Sequence, residues 1–250
     1  MRVLHYLELE DRLQRSGIGT AARHQRSALA GSEVQLVTSP WRGGGPGTAI
    51  YERTIGDDAI ESYDLAHCHL LGPGTLTVAE HARRSGKPLI LHSHVTREDF
   101  AGSFRGSTAV GPALERYLRW LYSRADLVLC PSEHTKSILN SYPVTAPIRP
   151  VTNGVDIEAL SGYESLREQY RQRYDLSGVV VFAVGNVFER KGVETFCRLA
   201  SEHTEDFVWF GPYDTGPHAS PTVRRTVSDP PENVTFTGWI EDIRGGLRSG

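Results

Sequence analysis

The chain has 250 residues, 39% hydrophobic and 23% charged, an ordinary globular composition with enough length for one large domain or two smaller ones. Its net charge of -3 offers no basic surface for phosphate backbones, which excludes a nucleic-acid binder by charge, so any anion site must be local. Neither a signal-peptide pattern after Met1 nor a span-length apolar run occurs, so a cytoplasmic protein that does not cross a membrane is expected. Cys68, Cys130 and Cys197 are odd in number, far apart and set in apolar patterns, as reduced core thiols are.

Arg2 to Leu9 reads as a first strand, followed by Ser16-Gly17-Ile18-Gly19 and a helical stretch from Thr20 to Ala30. The turn does not match G-x-G-x-x-G, so nicotinamide chemistry loses its best support. Gly17 and Gly19 permit close backbone approach to a phosphate or sugar, or simply a tight turn. Glu33 to Ser39 reads as a second strand, and the glycine-rich stretch Trp41 to Gly47 as a flexible loop. Asp64 to His69 and Leu89 to His94 are further strands, separated by a helix over Gly74 to Gly86. Alternation of strand and helix predicts a parallel sheet.

Residues two apart on a strand share a face, so His67 with His69 and His92 with His94 each bring two imidazoles to one side near a carboxyl end. Two readings stand open. The four histidines hold a divalent metal for hydrolysis, with Asp99 the nearest further ligand. Alternatively His94, with its neighbours Glu98 and Asp99, faces a polyhydroxylated substrate as a hydrogen-bonding group while the other imidazoles are satisfied in the core.

Phe100 to Gly106 reads as a loop, and Pro112 to Ala125 as a helix with an apolar stripe over Leu114, Tyr117, Leu118, Leu121 and Ala125. Its other face, Arg116, Arg119, Trp120 and Arg124, suits either solvent or an anionic lipid surface. Asp126 to Cys130 and Ile148 to Val151 are strands around a helix capped by Ser132. Asn153-Gly154-Val155-Asp156 is a turn that ends the first series, and a domain boundary between residues 152 and 153 is expected. The second series opens with a helix over Tyr163 to Tyr174 and a buried-strand pattern over Val179 to Val184. Gly185, the cations Arg190 and Lys191, and a helix from Val193 follow. Two cations at a strand end beside a helix N-terminus suit a diphosphate, and equally suit a solvated surface turn. Phe207 to Phe210 and Val234 to Phe236 are strands, with one short helix within 211–232.

These landmarks resemble the GT-B nucleotide-sugar glycosyltransferases of family 4 along essentially the whole chain. The resemblance is carried by Ser16 to Gly19, Asp64 to His69, His92-Ser93-His94, Pro131-Ser132, Asn153 to Asp156, Val184 to Gly192 and Asn233 to Trp239. Within the family the chain is most similar to bacterial glucosyltransferases acting on diacylglycerol, on Glu8 to Gly19, Thr96 to Phe100 and Phe188 to Gly192. The resemblance implies an α/β fold of two Rossmann-like domains facing across a cleft, 1–152 on the acceptor side and 153–250 for the nucleotide sugar. It implies retaining, metal-independent hexosyl transfer from a UDP-sugar to a hydroxyl acceptor such as a diacylglycerol-type lipid, without a cofactor, and peripheral contact with the inner membrane face. It places Gly17 and Gly19 near the phosphates and His94 near the donor sugar. Arg190 and Lys191 fall at the diphosphate, Gly185 in the same turn, and Gly211, Trp239 and Ile240 at the nucleobase.

Two departures are visible. Asn186 stands where many members carry an arginine, a charge that Arg190 can supply from four residues later. The donor domain also stops before the family's paired glutamates, so the second domain is expected to be truncated and the chain not to transfer sugar alone. A metal-dependent hydrolase and an inactive binding remnant stay open beside the transferase.

Overall fold

The computed structural model describes every residue except 15, 42–59, 104, 159, 163, 243 and 245–250. The expected loop over Trp41 to Gly47 therefore lies, apart from Trp41, outside the described residues. The chain divides into two compact units, one of Met1–Thr96 with Pro112–Val155 and one of Arg97–Gly111 with Asp156–Gly250.

The first unit is built on six parallel strands: β1 (Arg2–Tyr6), β2 (Gln35–Val37), β3 (Leu65–Cys68), β4 (Leu89–His92), β5 (Leu127–Cys130) and β6 (Ile148–Pro150). They lie in the order β2-β1-β3-β4-β5-β6. Its helices are α1 (Glu10–Leu13), α2 (Gly17–Leu29), α3 (Pro73–Arg84), most of α5 (Gly111–Tyr122) and α6 (Glu133–Ser141). The short α4 (Arg97–Phe100) and residues up to Gly111 group with the second unit. Leu4, Ala66, Leu91 and Val128 from the sheet pack with Val78 of α3, Leu118 and Leu121 of α5 and Leu139 of α6. Cys68 and Cys130 lie in this core, free and buried, and burial pushes both thiols up. Glu8 is buried too, and its carboxylate accepts from the Gly74 and Thr75 N–H groups (3.0 and 3.2 Å), satisfying the orphan donors at the α3 N-terminus.

Helix α2 starts three residues before the expected Thr20. Ser16 is its cap: the Ser16 hydroxyl accepts from the Gly19 N–H at 3.1 Å. A Cβ at position 19 would collide with the Leu13 carbonyl at the end of α1, so glycine is required there by helix packing, whereas nothing lies near one at Gly17.

The second unit holds three parallel strands, β7 (Val180–Val184), β8 (Asp206–Phe210) and β9 (Val234–Gly238), in that order, with α7 (Glu164–Arg173), α8 (Val193–Ser201) and α9 (Pro221–Ser228). Alternation along β8 covers both faces. Phe207 and Trp209 pack with Phe196 and Cys197 of α8, while Val208 and Phe210 pack with Tyr170 of α7 and with Ile240. The apolar run at β7 reads as a buried strand, and this expectation fails: Val181, Phe182 and Val184 are 38%, 37% and 42% exposed. Strand β7 has a hydrogen-bonded neighbour on one side only among the described residues, and β8 takes the central position.

At the strand ends Gly185 and Gly211 have φ of 124° and 151°. The Gly185 N–H donates to Phe210 O (2.9 Å), the Gly211 N–H to Gly238 O (3.0 Å), and the Trp209 indole to Gly185 O (2.8 Å). A Cβ on residue 211 would strike the Gly185 carbonyl. Gly211→Ala is therefore expected to lower the unfolding free energy by more than about 2 kcal/mol, from a backbone conformation costly for any L-residue plus the collision. Gly17→Ala, in open space on a helix, should be neutral or stabilising. Chemical denaturation of the two variants beside the parent checks the contrast.

Candidate active site

The strand order of the first sheet reverses between β1 and β3, since β2 follows β1 on one side and β3 to β6 run out on the other. In open parallel sheets, ligands bind outside the carboxyl ends at such a switch point. Five histidines collect there. His5 of β1 pairs in register with His67 of β3, and the two-residue period brings His69, His92 and His94 to the same side. Ring centroids lie 4.3 Å apart for His5–His69, His67–His69 and His92–His94, the last pair stacked within 3° of parallel. His5 and His92 are fully buried, His69 and His67 nearly so, and His94 is partly exposed.

The imidazoles bond chiefly to one another. His69 Nε2 lies 2.9 Å from His5 Nε2, and His69 Nδ1 lies 3.0 Å from His94 Nε2. Arg26 of α2 donates from Nε to His5 Nδ1 (3.1 Å) and from Nη2 to His5 O (3.2 Å), and its guanidinium is held by the Glu10 carboxylate. Gln25 bridges His5 and His92. Burial, with the Arg26 charge second, brings His5 down to about 4. Burial also brings His92 to about 4 and His94 to about 3, the neighbouring imidazoles adding to it, and holds His67 and His69 well below the ordinary value of 6.5. All five are neutral at physiological pH.

His5 is the residue that reading by His-x-His pairs misses. The expectation that the inner histidines are satisfied is also corrected, because His67 Nε2 and His92 Nε2 are buried without a hydrogen-bond partner among the described residues. Two trios, His5-His67-His69 and His69-His92-His94, have ligand nitrogens within 4.8 Å of one another, and Asp99 belongs to neither. The cluster nonetheless suits a cation poorly. Arg26 donates to His5 Nδ1, and five imidazole nitrogens, both of His5, both of His69 and Nε2 of His94, are already engaged in hydrogen bonds.

In the second unit, Arg190 and Lys191 lie on a 3₁₀ turn (Glu189–Lys191) that runs into α8, and both are exposed. Arg190 donates from Nε to Ser103 Oγ (3.0 Å), and its guanidinium lies 5.5 Å from the Phe188 ring. Lys191 has no carboxylate partner among the described residues. Beside the turn is a cavity of about 290 Å³ lined by Asn186, Phe188, Tyr213, Asp214 and Ser220 among others, without Arg190 or Lys191. Gly185 and Gly211 do not line it but directly precede two residues that do, Asn186 and Pro212. Trp239 is 44% exposed, whereas the Ile240 side chain is in the core with Tyr170, Val208 and Phe210. Glu98 and Asp99 are exposed on α4. In the first unit, the Gly19 N–H is taken by Ser16, which leaves Gly17 the more open of the two expected phosphate glycines.

Two helix-flanked parallel sheets, one of six strands and one of three, agree with the two Rossmann-like domains that the resemblance implies. The family model for Glycosyltransferase Family 4 matches residues 22–159, more than half of the chain. The chain belongs to glycosyltransferase family 4. A processive diacylglycerol alpha-glucosyltransferase of Acholeplasma laidlawii is 27% identical over 245 residues, spanning 96% of this chain and 67% of that protein. Among solved structures, a sucrose-phosphate synthase from Thermosynechococcus elongatus shares the fold with a TM-score of 0.61 at 13% identity, over 100% of this chain and 72% of the other. The UDP-GlcNAc 2-epimerase from Neisseria meningitidis bound to UDP-GlcNAc follows with 0.50 at 13% identity, over 98% and 74%. The chain is thus a glycosyltransferase-type enzyme of GT-B fold, and the metal-hydrolase reading of the histidines is not favoured.

The buried histidines impose a pH dependence whose sign is fixed. Unfolded imidazoles titrate near 6.5 and folded His5 and His92 near 4, so between those values the unfolded state binds more protons. Stability is therefore complete above pH 6.5 and falls as the pH drops toward 4, by about 1.4 kcal/mol per pH unit for each of these two histidines. Urea denaturation across this range checks it, and replacing His92 by Gln should flatten the slope.

Proposed function

We propose that the chain binds a UDP-sugar, UDP-glucose first among them, through its second unit, and serves its transfer with retention to a hydroxyl acceptor of the diacylglycerol type. The observation that carries this reading is the glycine-built carboxyl edge of β7 and β8 beside an exposed cationic turn at the start of α8. The space beside Gly185 is open, so its backbone admits a ligand closely, and the α8 N-terminus with Lys191 and Arg190 favours an anion. During transfer, charge develops on the departing diphosphate, so a cation fixed there stabilises the transition state more than the ground state. Arg190 takes the place of the arginine that Asn186 replaces. Retention agrees with the relative's name, since an α-glucoside made from an α-linked nucleotide sugar keeps its configuration.

In this reading His94 contacts the donor sugar, Gly17 presents backbone to phosphate, Trp239 borders the nucleobase, and Glu98 and Asp99 serve the acceptor. No metal takes part. No described helix is long and apolar enough to cross a membrane. The outer face of α5 and the turn after it support peripheral contact with an anionic leaflet: Arg116, Arg119 and Trp120 of the helix and Arg124 of the turn are all exposed, and the Arg124 guanidinium lies 3.7 Å from the Trp120 ring centroid.

Titration calorimetry with UDP and UDP-glucose, and turnover with UDP-glucose and diacylglycerol vesicles, test the reading. Lys191→Ala is expected to weaken UDP binding by roughly tenfold or more, and Arg190→Ala to weaken it comparably. Unchanged UDP affinity in Arg190→Ala with loss in Lys191→Ala would remove Arg190 from the proposed role. No affinity for either nucleotide would mark a binding remnant, and stoichiometric zinc or manganese in the purified protein would return the hydrolase.

A further inference from the structure

The hydrogen bonds of the histidine cluster have a direction, and one residue sets it. A guanidinium only donates and does not lose its proton in proteins. Because Arg26 Nε donates to His5 Nδ1 at 3.1 Å, that nitrogen accepts, and neutral His5 carries its proton on Nε2. His5 Nε2 lies 2.9 Å from His69 Nε2, a separation at which two nitrogens share one proton. His5 supplies it, so His69 accepts at Nε2 and carries its own proton on Nδ1. That atom lies 3.0 Å from His94 Nε2, which accepts in turn and leaves the His94 proton on Nδ1.

A side branch agrees with this assignment. Gln25 Oε1 lies 3.3 Å from His5 Nε2 and can only accept, so it shares, as the longer arm, the one hydrogen that His5 Nε2 also gives to His69. The Gln25 amide nitrogen then donates to His92 Nδ1 at 3.4 Å, placing the His92 proton on Nε2. The other Gln25 orientation would set N–H against N–H at His5. Arg26 is itself held by the Glu10 carboxylate and by its bond to His5 O. Of the five histidines only His94, at the far end of the chain, is not buried.

We propose that Arg26 is a positioning residue that fixes the tautomer of His94 through His5 and His69, so that His94 offers an Nδ1–H donor and not a lone pair. His94 then binds an oxygen of its ligand as a donor, and its Nε2 is closed to base chemistry by the His69 proton. Assigning that oxygen to a sugar rests on the function proposed above, whereas the tautomer does not.

Long-range ¹H–¹⁵N correlation of the whole chain labelled with ¹⁵N-histidine reads the tautomers directly near neutral pH, the His94 signals being identified by their loss in His94→Gln. The expected pattern is Nε2–H for His5 and His92 and Nδ1–H for His69 and His94. In Arg26→Met, His94 should turn to Nε2–H or to a mixture, and Arg26→Lys, which keeps a donor-only cation, should restore the single Nδ1–H form. A purely structural Arg26 would alter stability and leave the His94 tautomer as it was, and that result overturns the proposal. Should Arg26→Met fail to fold, the parent spectrum still decides, since Nε2–H at His94 or Nδ1–H at His5 overturns it equally. A chain with the expected tautomers but no affinity for UDP or UDP-glucose would refute the functional reading and leave the role of Arg26 standing.

Discussion

The first unit depends on the parallel register that sets His5 opposite His67 and Leu4 opposite Ala66. A slip of one residue would exchange the faces of β1, putting Leu4 among the histidines and His5 in the apolar core. The register is held by burial on both faces. Leu4 and Ala66 are fully enclosed on one side and His5 on the other, so neither face tolerates the exchange. The imidazoles are thus presented by the same packing that makes the core, and their mutual distances follow from strand spacing and pleat rather than from loop conformation.

The second unit uses backbone where the first uses side chains. Parallel β7 and β8 approach so closely at their ends that residue 211 has no room for a Cβ, and the Trp209 indole occupies the carbonyl that this approach exposes. Trp209 also packs on Phe196 of α8 at 5.2 Å between centroids. One side chain therefore ties the strand end, the glycine turn and the helix that carries the cationic turn at its start. The cations themselves are exposed, and among the described residues Arg190 meets a serine hydroxyl and the Phe188 ring but no carboxylate, which keeps its charge available to an anion.

Much of this was legible from residue order. Alternation and helical spacing located the nine described strands within a few residues, and the Ser132 cap was readable from its context because the Ser132 hydroxyl receives the Thr135 N–H. The His-x-His pairs announced a cluster. His5 did not, since a single imidazole inside an apolar strand has no pattern and acquires its meaning only from the strand that registers beside it. The exposure of β7 was hidden for a related reason: an apolar run reports hydrophobicity, while its position at a sheet edge is decided by other strands. Arg97–Gly111 reads as a connection within the first series, yet it bonds through Ser103 and the Arg105 N–H to Arg190 and His218 O. No local spacing encodes such a tertiary assignment.

The electrostatics of the two units differ in kind. In the first, the Arg26 charge is compensated by Glu10 and the imidazoles beyond it stay neutral, so the cluster carries proton direction without carrying net charge. Five neutral rings cannot stabilise a diphosphate by Coulomb attraction, and they gain nothing from the helix dipole at Gly17. His94, the one ring of the five that is not buried, can orient a hydroxyl by which of its nitrogens bears hydrogen, a property that depends on geometry and is little affected by salt. In the second, exposed cations at a helix N-terminus attract an anion with little geometric demand and with strong dependence on ionic strength. A nucleotide sugar asks for both, charge recognition at its phosphates and directional bonding at its hydroxyls. The first sheet thus offers direction and the second offers charge.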